Sequence, residues 1–339
     1  MHLFLDQITC RNEGSDRPVI DGVSLCVRSG DVVSVVAHPP LAASALLRFI
    51  VRSSVRDGVL IGSDGTVATG ENEPVNRRDW RFMEPSVPPR WTTESWRGVD
   101  LQRFAFPSRA NGESPDLLLV DDLAELPAFA ETSTRRAFVQ DLHALHPVPR
   151  RRTILYATRD TDDALAVADR VAVMQSGRLV QFGTPAEVYD APETEFVAEL
   201  FGQPPINLFP AILEKDGQAL NLRNQSVALG GRIAEEFCRD VTGGVRPQHV
   251  RLSREGGGLR GRIVSVEPVS NADGGAAGDT LVAVDVEGFR LRALVPATSD
   301  GGSAAAWEVD DRVVVRIRPE HYVVFDDRGV RLDQVPRRS

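Results

Sequence analysis

Asp121 and Asp122 stand side by side at the end of the apolar run LLLV at 117–120. The C-terminal end of a buried strand is where the carboxylates that hold magnesium and activate water sit in nucleoside-triphosphate hydrolases. A strand-end Asp pair is equally a turn and helix-cap signal, so the pair alone supports both readings. Hydrolysis would also need a phosphate cradle, in which a strand runs into G-x-x-x-x-G-K-[ST]. There the backbone N–H groups and the lysine hold phosphate oxygens, and the hydroxyl ligates magnesium. Between the strand-like VVSVV and the helix-like LLRFIV this chain has Ala37-His38-Pro39-Pro40-Leu41-Ala42-Ala43-Ser44-Ala45. Strand, loop length and helix are in place, but the loop has no glycine. Pro39 and Pro40 remove two N–H donors, and Ala43 stands where the lysine would be. Ser44 keeps a hydroxyl at the expected start of the helix, where an N-cap explains it as well as a magnesium ligand does.

The elements that must position these residues follow from the hydrophobic pattern. Up to residue 204, short apolar runs alternate with helical ones: VVSVVA then SALLRFIV, LLLVDD then TRRAFVQDLHAL, TILYAT then DDALAVAD, followed by RVAVMQ and RLVQFG. Alternation of this kind predicts parallel βα units with strands covered on both faces. From residue 205 the runs become short alternating strands separated by Gly-, Asp- and Pro-bearing turns, which predicts a small all-β barrel or sandwich. The domains expected are therefore 1–204 and 205–339, with FGQPPINLFP, containing Pro204 and Pro205, as the linker. His249 and His321 each follow an Arg-Pro-x pattern, which suggests equivalent packing positions in the second domain.

With 339 residues and 42% hydrophobic content, the chain can build two cores. A net charge of -9 argues against nucleic acid as a partner. Three widely spaced cysteines suggest neither a disulfide framework nor a zinc site. No apolar run reaches the roughly 18 residues needed to span a bilayer, so membrane contact is expected only through a partner.

The stretch from Thr158 to Pro192, TRDTDDALAVADRVAVMQSGRLVQFGTPAEVYDAP, resembles the last third of an ATP-binding-cassette (ABC) ATPase. The residues that carry the likeness are Thr158, Asp160, Ala164, Asp169, Arg170, Met174, Gly177 and the segment Gly183 to Tyr189, with Pro192. In the second domain GVRPQHVRL and RIRPEHYVVFD resemble paired signatures of the importer subunits for sugars, polyamines and iron that carry a C-terminal accessory β domain. The resemblance implies an α/β, P-loop NTPase-like ABC nucleotide-binding domain followed by a small all-β, OB-like domain. It further implies ATP and magnesium as cofactors, transmembrane permease subunits as partners, and a place on the inner face of the cell membrane. A homodimer, or a heterodimer with an intact ATPase, is also implied.

Against that family pattern each active-site element departs. The phosphate-loop positions are Ala42, Ala43, Ser44 and Ala45, with Ser44 and Asp121 left as magnesium ligands. The catalytic Glu becomes Asp122, shorter by one methylene and about 1.5 Å of reach. The switch histidine becomes Arg159, the glutamine-loop position falls at Glu84, and only Gly98 survives of the signature loop. With 52 residues between Ala43 and Trp96, the helical subdomain that the family inserts there is shortened. The family role that results is an importer subunit impaired in catalysis and acting as scaffold or regulator. Two alternatives stand beside it: a working ATPase with an atypical phosphate site, and a regulatory protein detached from transport.

Overall fold

The computed structural model describes residues 3–11, 17–28, 30–52, 58–61, 67–69, 117–122, 133–137, 139, 153–233, 240–269, 279–296, 307–333 and 335–336. The chain divides into two compact units, Met1–Asp190 and Ala191–Ser339. That division falls ahead of the boundary expected at 204.

In the first unit, strands β1 (Leu3–Arg11) and β2 (Pro18–Val27) form an antiparallel ribbon. The other described strands are β3 (Val32–His38), β4 (Gly58–Ile61), β5 (Val67–Thr69), β6 (Leu117–Val120), β7 (Thr153–Ala157), β8 (Arg170–Gln175) and β9 (Arg178–Gly183). They make one sheet in the order β5-β4-β6-β7-β3-β8-β9. Its inner strands β4, β6, β7, β3 and β8 are parallel, while β5 and β9 pair antiparallel at the two edges. All five residues of β7 are buried, as are the first six of β3, which is the burial expected of strands covered on both faces.

Helix α1 (Leu41–Arg52) follows β3 and lies against β2, β3, β4 and β7. Its buried residues Ala42, Ala43, Leu46, Leu47 and Ile50 recur with helical spacing and form one apolar face. That face joins Val33, Val35, Leu119 and Leu155 of the sheet and Ile20, Val23 and Leu25 of the ribbon in a single core. Helix α2 (Thr161–Val167) leads from β7 to β8, and α3 (Pro185–Asp190) follows β9.

The second unit begins with helix α4 (Glu195–Leu200). Strands β10 (Asn207–Leu213), β11 (Ala219–Leu222), β12 (Gln225–Ala228), β14 (Asp240–Val245) and β20 (Val323–Phe325) form a sheet in the order β12-β11-β10-β14-β20. Strands β15 (Arg251–Ser253), β16 (Leu259–Pro268), β17 (Thr280–Val286), β18 (Phe289–Val295) and β19 (Arg312–Arg316) form another in the order β15-β19-β16-β17-β18. Short strands β13 (Gly231–Arg232) and β21 (Val335–Pro336) pair with each other. The two larger sheets are antiparallel throughout and enclose one core that includes Phe209, Leu220, Val245, Ile263, Val284, Leu291 and Val315. This is the all-β domain expected from the alternating runs.

The linker expectation does not hold. Its last four residues, 207–210, are the start of β10, where the strand pairs with β14. Pro204 and Pro205 made the segment read as a linker. β11 covers only Ile212 and Leu213, so at Pro210 the strand is paired on one side alone, which is where a strand tolerates proline.

Candidate functional site

The carboxyl ends of β6, β7 and β3 lie next to one another in the sheet. From β3 the chain passes through α1 to β4 on one side, and from β7 through α2 to β8 on the other. The two connections therefore run in opposite directions, each passing the other's strand; as right-handed crossovers they leave on opposite faces of the sheet, which opens a crevice at the carboxyl ends of β7 and β3. This end of the sheet carries Asp121 and Asp122 after β6, Arg159 after β7, and the loop from His38 after β3.

The loop is turned in on itself. Ala42 N–H donates to the Pro39 carbonyl at 3.2 Å and Ala43 N–H to the Pro40 carbonyl at 3.1 Å. Pro39 and Pro40 bring no N–H of their own. Ala42 and Ala43 are buried in the core and Ala45 is half-buried, so the position expected for a lysine is apolar and closed. Because α1 begins at Leu41, Ser44 sits within its first turns and is not the N-cap the sequence suggested. Its hydroxyl donates instead to Asp121 Oδ1 at 2.6 Å.

Asp121 Oδ1 also accepts the Asp122 N–H at 3.0 Å. The other oxygen, Oδ2, is buried and accepts no hydrogen bond among the described residues, with Arg48 Nη2 at 4.0 Å. Asp122 Oδ2 accepts from Arg159 Nε in an ion pair between a nearly buried carboxylate and a half-exposed guanidinium. The structure thus brings together Ala42, Ala43, Ser44, Ala45, Asp121, Asp122 and Arg159. Glu84 and Gly98 lie outside the described residues.

Behind Arg159 is a network that sequence reasoning missed. Arg135, in the helical segment 133–137, donates from Nε to Asp163 at 2.5 Å and from Nη2 to Asp160 at 2.6 Å, and Arg136 Nε reaches Asp163 at 3.2 Å. Arg135 and Asp163 are both buried. Burial works against the Arg135 charge, but the hydrogen bond and attraction of Asp163 more than offset it, so the guanidinium holds its proton more tightly than usual. Asp160 caps α2 by accepting from the N–H groups of Asp162 and Asp163 at 3.1 and 3.0 Å. Tyr156, on buried β7, has its phenol pushed up by desolvation and stays neutral. The only sequence cue to this network was an acidic pair inside an otherwise apolar helix pattern.

The residues that carry the family resemblance have local structural work. Asp169 Oδ2 accepts from Val32 N–H at 2.8 Å, tying the start of β8 to β3. Gly177, at φ +84, turns where a Cβ would meet the Val19 carbonyl at 2.6 Å. Thr184 and Glu187 form a capping box, with Thr184 N–H on Glu187 Oε2 at 2.7 Å and Glu187 N–H on Thr184 Oγ1 at 3.3 Å. The backbone N–H of Thr184, helped by its hydroxyl, holds the Glu187 carboxyl below its usual range.

In the second unit the two Arg-Pro-x-His segments form short 3-10 turns, Pro247–His249 and Pro319–His321, and their imidazoles stack with centroids 3.8 Å apart. Arg246 is buried and donates through Nη1 to the carbonyls of Ala198 and Phe201 at the end of α4. Among the described residues there is no metal-holding cluster of His, Cys, Asp or Glu, and no helix long and apolar enough to cross a membrane.

Comparison with known proteins bears on the same elements. Residues 243–325 match the TOBE domain. The sn-glycerol-3-phosphate import ATP-binding protein UgpC of Chromobacterium violaceum is 29% identical, the match covering 96% of this chain and 94% of that one. The Fe(3+) ions import ATP-binding protein FbpC 1 of Rhodococcus jostii is 27% identical over 74% of this chain and 80% of its own. Against several other curated relatives the chain spans about half their length. The structure of cbiO1 from Clostridium perfringens, described as part of the ABC transporter complex cbiONQ, matches 55% of this chain and 89% of its own at 14% identity and a TM-score of 0.36.

Proposed function

We propose, from the premise that the relatives of this chain are ATP-binding subunits of importer-type ABC transporters and that it carries a TOBE domain, that it serves an importer as a subunit that does not hydrolyse ATP. It docks on transmembrane permease subunits at the inner face of the membrane, as scaffold or regulator, alone as a pair or beside an intact ATPase. The observation that carries this reading is the phosphate loop. Two of its N–H groups are absent and two are bonded to its own carbonyls, and the lysine position is a buried alanine. A triphosphate carries about four negative charges and binds through converging N–H groups and a cation. These residues do not fit it.

Magnesium fares no better as a catalytic partner. Asp122, where the water-positioning carboxylate would stand, is engaged by Arg159, so it is not available to position water beside the ion. The arrangement supports positioning of strands and helices, not charge stabilisation at a transferring phosphoryl group. Sugar-type solutes and glycerol phosphate are the transported classes that the family likeness favours.

Calorimetric titration of the purified chain with Mg-ATP tests the reading, with an intact importer ATPase as control. The expected outcome is no binding at millimolar nucleotide, together with capture of permease subunits when the chain is isolated from its host membrane fraction. Measurable ATP turnover that is lost in Asp122→Asn would overturn it in favour of an atypical working site. A chain that binds no permease would point to regulation apart from transport.

A further inference from the structure

One face of the sheet β15-β19-β16-β17-β18 carries charge that the fold does not use. The other face supplies Ile263, Val284, Leu291 and Val315 to the core, so the residues alternating with them point away from it. Asp285 of β17 lies opposite Arg262 of β16 and Arg290 of β18, and Arg262 lies opposite Arg312 of β19. Arg260 and Arg292 share this outer face, two residues away along β16 and β18. Arg260, Arg290 and Arg312 are exposed, and Arg292 is half-buried.

Among the described residues, no hydrogen bond or ion pair engages the side chains of these four arginines. Arg262 has only an exposed pair with Asp310 at 3.2 Å, of the kind that contributes little. Asp285, the acid of the row, accepts instead from the Gly288 N–H at 3.2 Å. Like charges directly opposite one another weaken a sheet, so setting Arg262 beside Arg312 does not serve the fold. In a chain of net charge -9 such a basic face is a local field that attracts anions.

The layout selects the kind of anion. From β19 to β18 are three strand spacings, about 14 Å, wider than one phosphate or sulfate reaches. The aliphatic pair on this face, Leu281 opposite Leu294, is half-buried and does not protrude, which disfavours insertion into a lipid layer. Strand addition is closed at Arg292, whose N–H and carbonyl are taken by Asn207 Oδ1 and Nδ2 at 2.8 and 2.9 Å. A partner therefore meets the side chains of the face, not the edge of the sheet.

We propose that the face formed by Arg260, Arg262, Arg290, Arg292 and Arg312 docks an acidic polypeptide segment that presents several carboxylates along one side. Guanidinium forks match carboxylates in bidentate geometry, and the paired strands hold the five at fixed spacing. Docking here does not depend on whether the first unit binds nucleotide.

The test is fluorescence anisotropy of a labelled poly-glutamate peptide with the full chain as wild type, as Arg290→Gln with Arg312→Gln, and as Lys215→Gln with Arg328→Gln. Each double variant removes two positive charges, and Lys215 and Arg328 are exposed in turns after β10 and β20, away from this face. Wild type should bind the peptide, less tightly as salt rises. The Arg290 and Arg312 double should bind about tenfold more weakly, while the Lys215 and Arg328 double stays within about twofold of wild type. No binding by wild type overturns the proposal, as does an equal loss in both doubles, which would reflect net charge alone. Wild type that sediments with phosphatidylglycerol vesicles but ignores the peptide overturns it in favour of a lipid surface. Self-association of wild type that is lost only in the Arg290 and Arg312 double overturns it in favour of a second copy of this chain.

Discussion

Ser44 Oγ lies 2.6 Å from Asp121 Oδ1 and donates to it, so α1 and the end of β6 satisfy each other across the site. Asp121 is 1% exposed, and removing its donor leaves a buried carboxylate oxygen short of a partner. Ser44→Ala should therefore cost about 1–3 kcal/mol of stability, measured by urea unfolding. A cost near zero would mean that water replaces the hydroxyl.

On the proposed reading, placing a lysine at position 43 should not confer nucleotide binding. Ala43 belongs to the core formed by α1 and the sheet, so Ala43→Lys forces a long cation into packed apolar space. Overpacking alone costs about 1–3 kcal/mol. The expected result is a less stable chain that shows no heat of binding with Mg-ATP, because the Ala42 and position-43 N–H groups remain bonded within the loop.

Arg135→Leu strips the main partner from fully buried Asp163, leaving it, among the described residues, Arg136 at 3.2 Å. Breaking a buried pair from one side costs about 3–5 kcal/mol. Replacing both members with leucine should recover a large part of that loss, and a double-mutant cycle on unfolding free energies reads the difference.

Arg246→Leu should loosen α4 from the second unit. The guanidinium serves the carbonyls of Ala198 and Phe201 at the helix end, and two buried acceptors lose their donor without it. A loss of about 1–3 kcal/mol follows, and amide exchange should rise first in 195–201.

Alkaline pH should unfold the chain through its tyrosines. Of three tyrosines, Tyr156 and Tyr322 are buried, and desolvation raises both phenols above their ordinary value. A group whose folded pKa is raised contributes stability that is fully present below the unfolded value, about 10 for tyrosine, and is lost as pH rises beyond it. The phenolate absorbance of Tyr156 and Tyr322 should thus appear only with unfolding. Ionisation of either in the folded chain would contradict its burial.

How much of the site could be read beforehand differs residue by residue. Asp121 and Asp122 were placed at a strand end because LLLV is a continuous apolar run, and that is where they lie. Ser44 was misplaced by three residues of helix: Leu41 to Ala43 gave no capping signal, so the start was put at the first hydroxyl. β10 was hidden by prolines. Arg135 drew no attention, because an arginine beside another in a polar stretch looks the same whether it is solvated or buried.

The sequence by itself determined the alternation of strands and helices in the first unit and the antiparallel strands of the second, because hydrophobic periods of 3.6 and 2 are properties of neighbouring residues. It also determined that the loop between β3 and α1 carries neither glycine nor lysine. Only the tertiary structure decided what the remaining polar groups do instead. Ser44 and Asp121 are 77 residues apart, and Arg159 and Asp122 are 37 apart. Their meeting depends on the order β6-β7-β3, which is set by pairing between distant strands sharing one core. No local pattern encodes that order, and so none could show that each carboxylate of the pair is bonded by a side chain from another element.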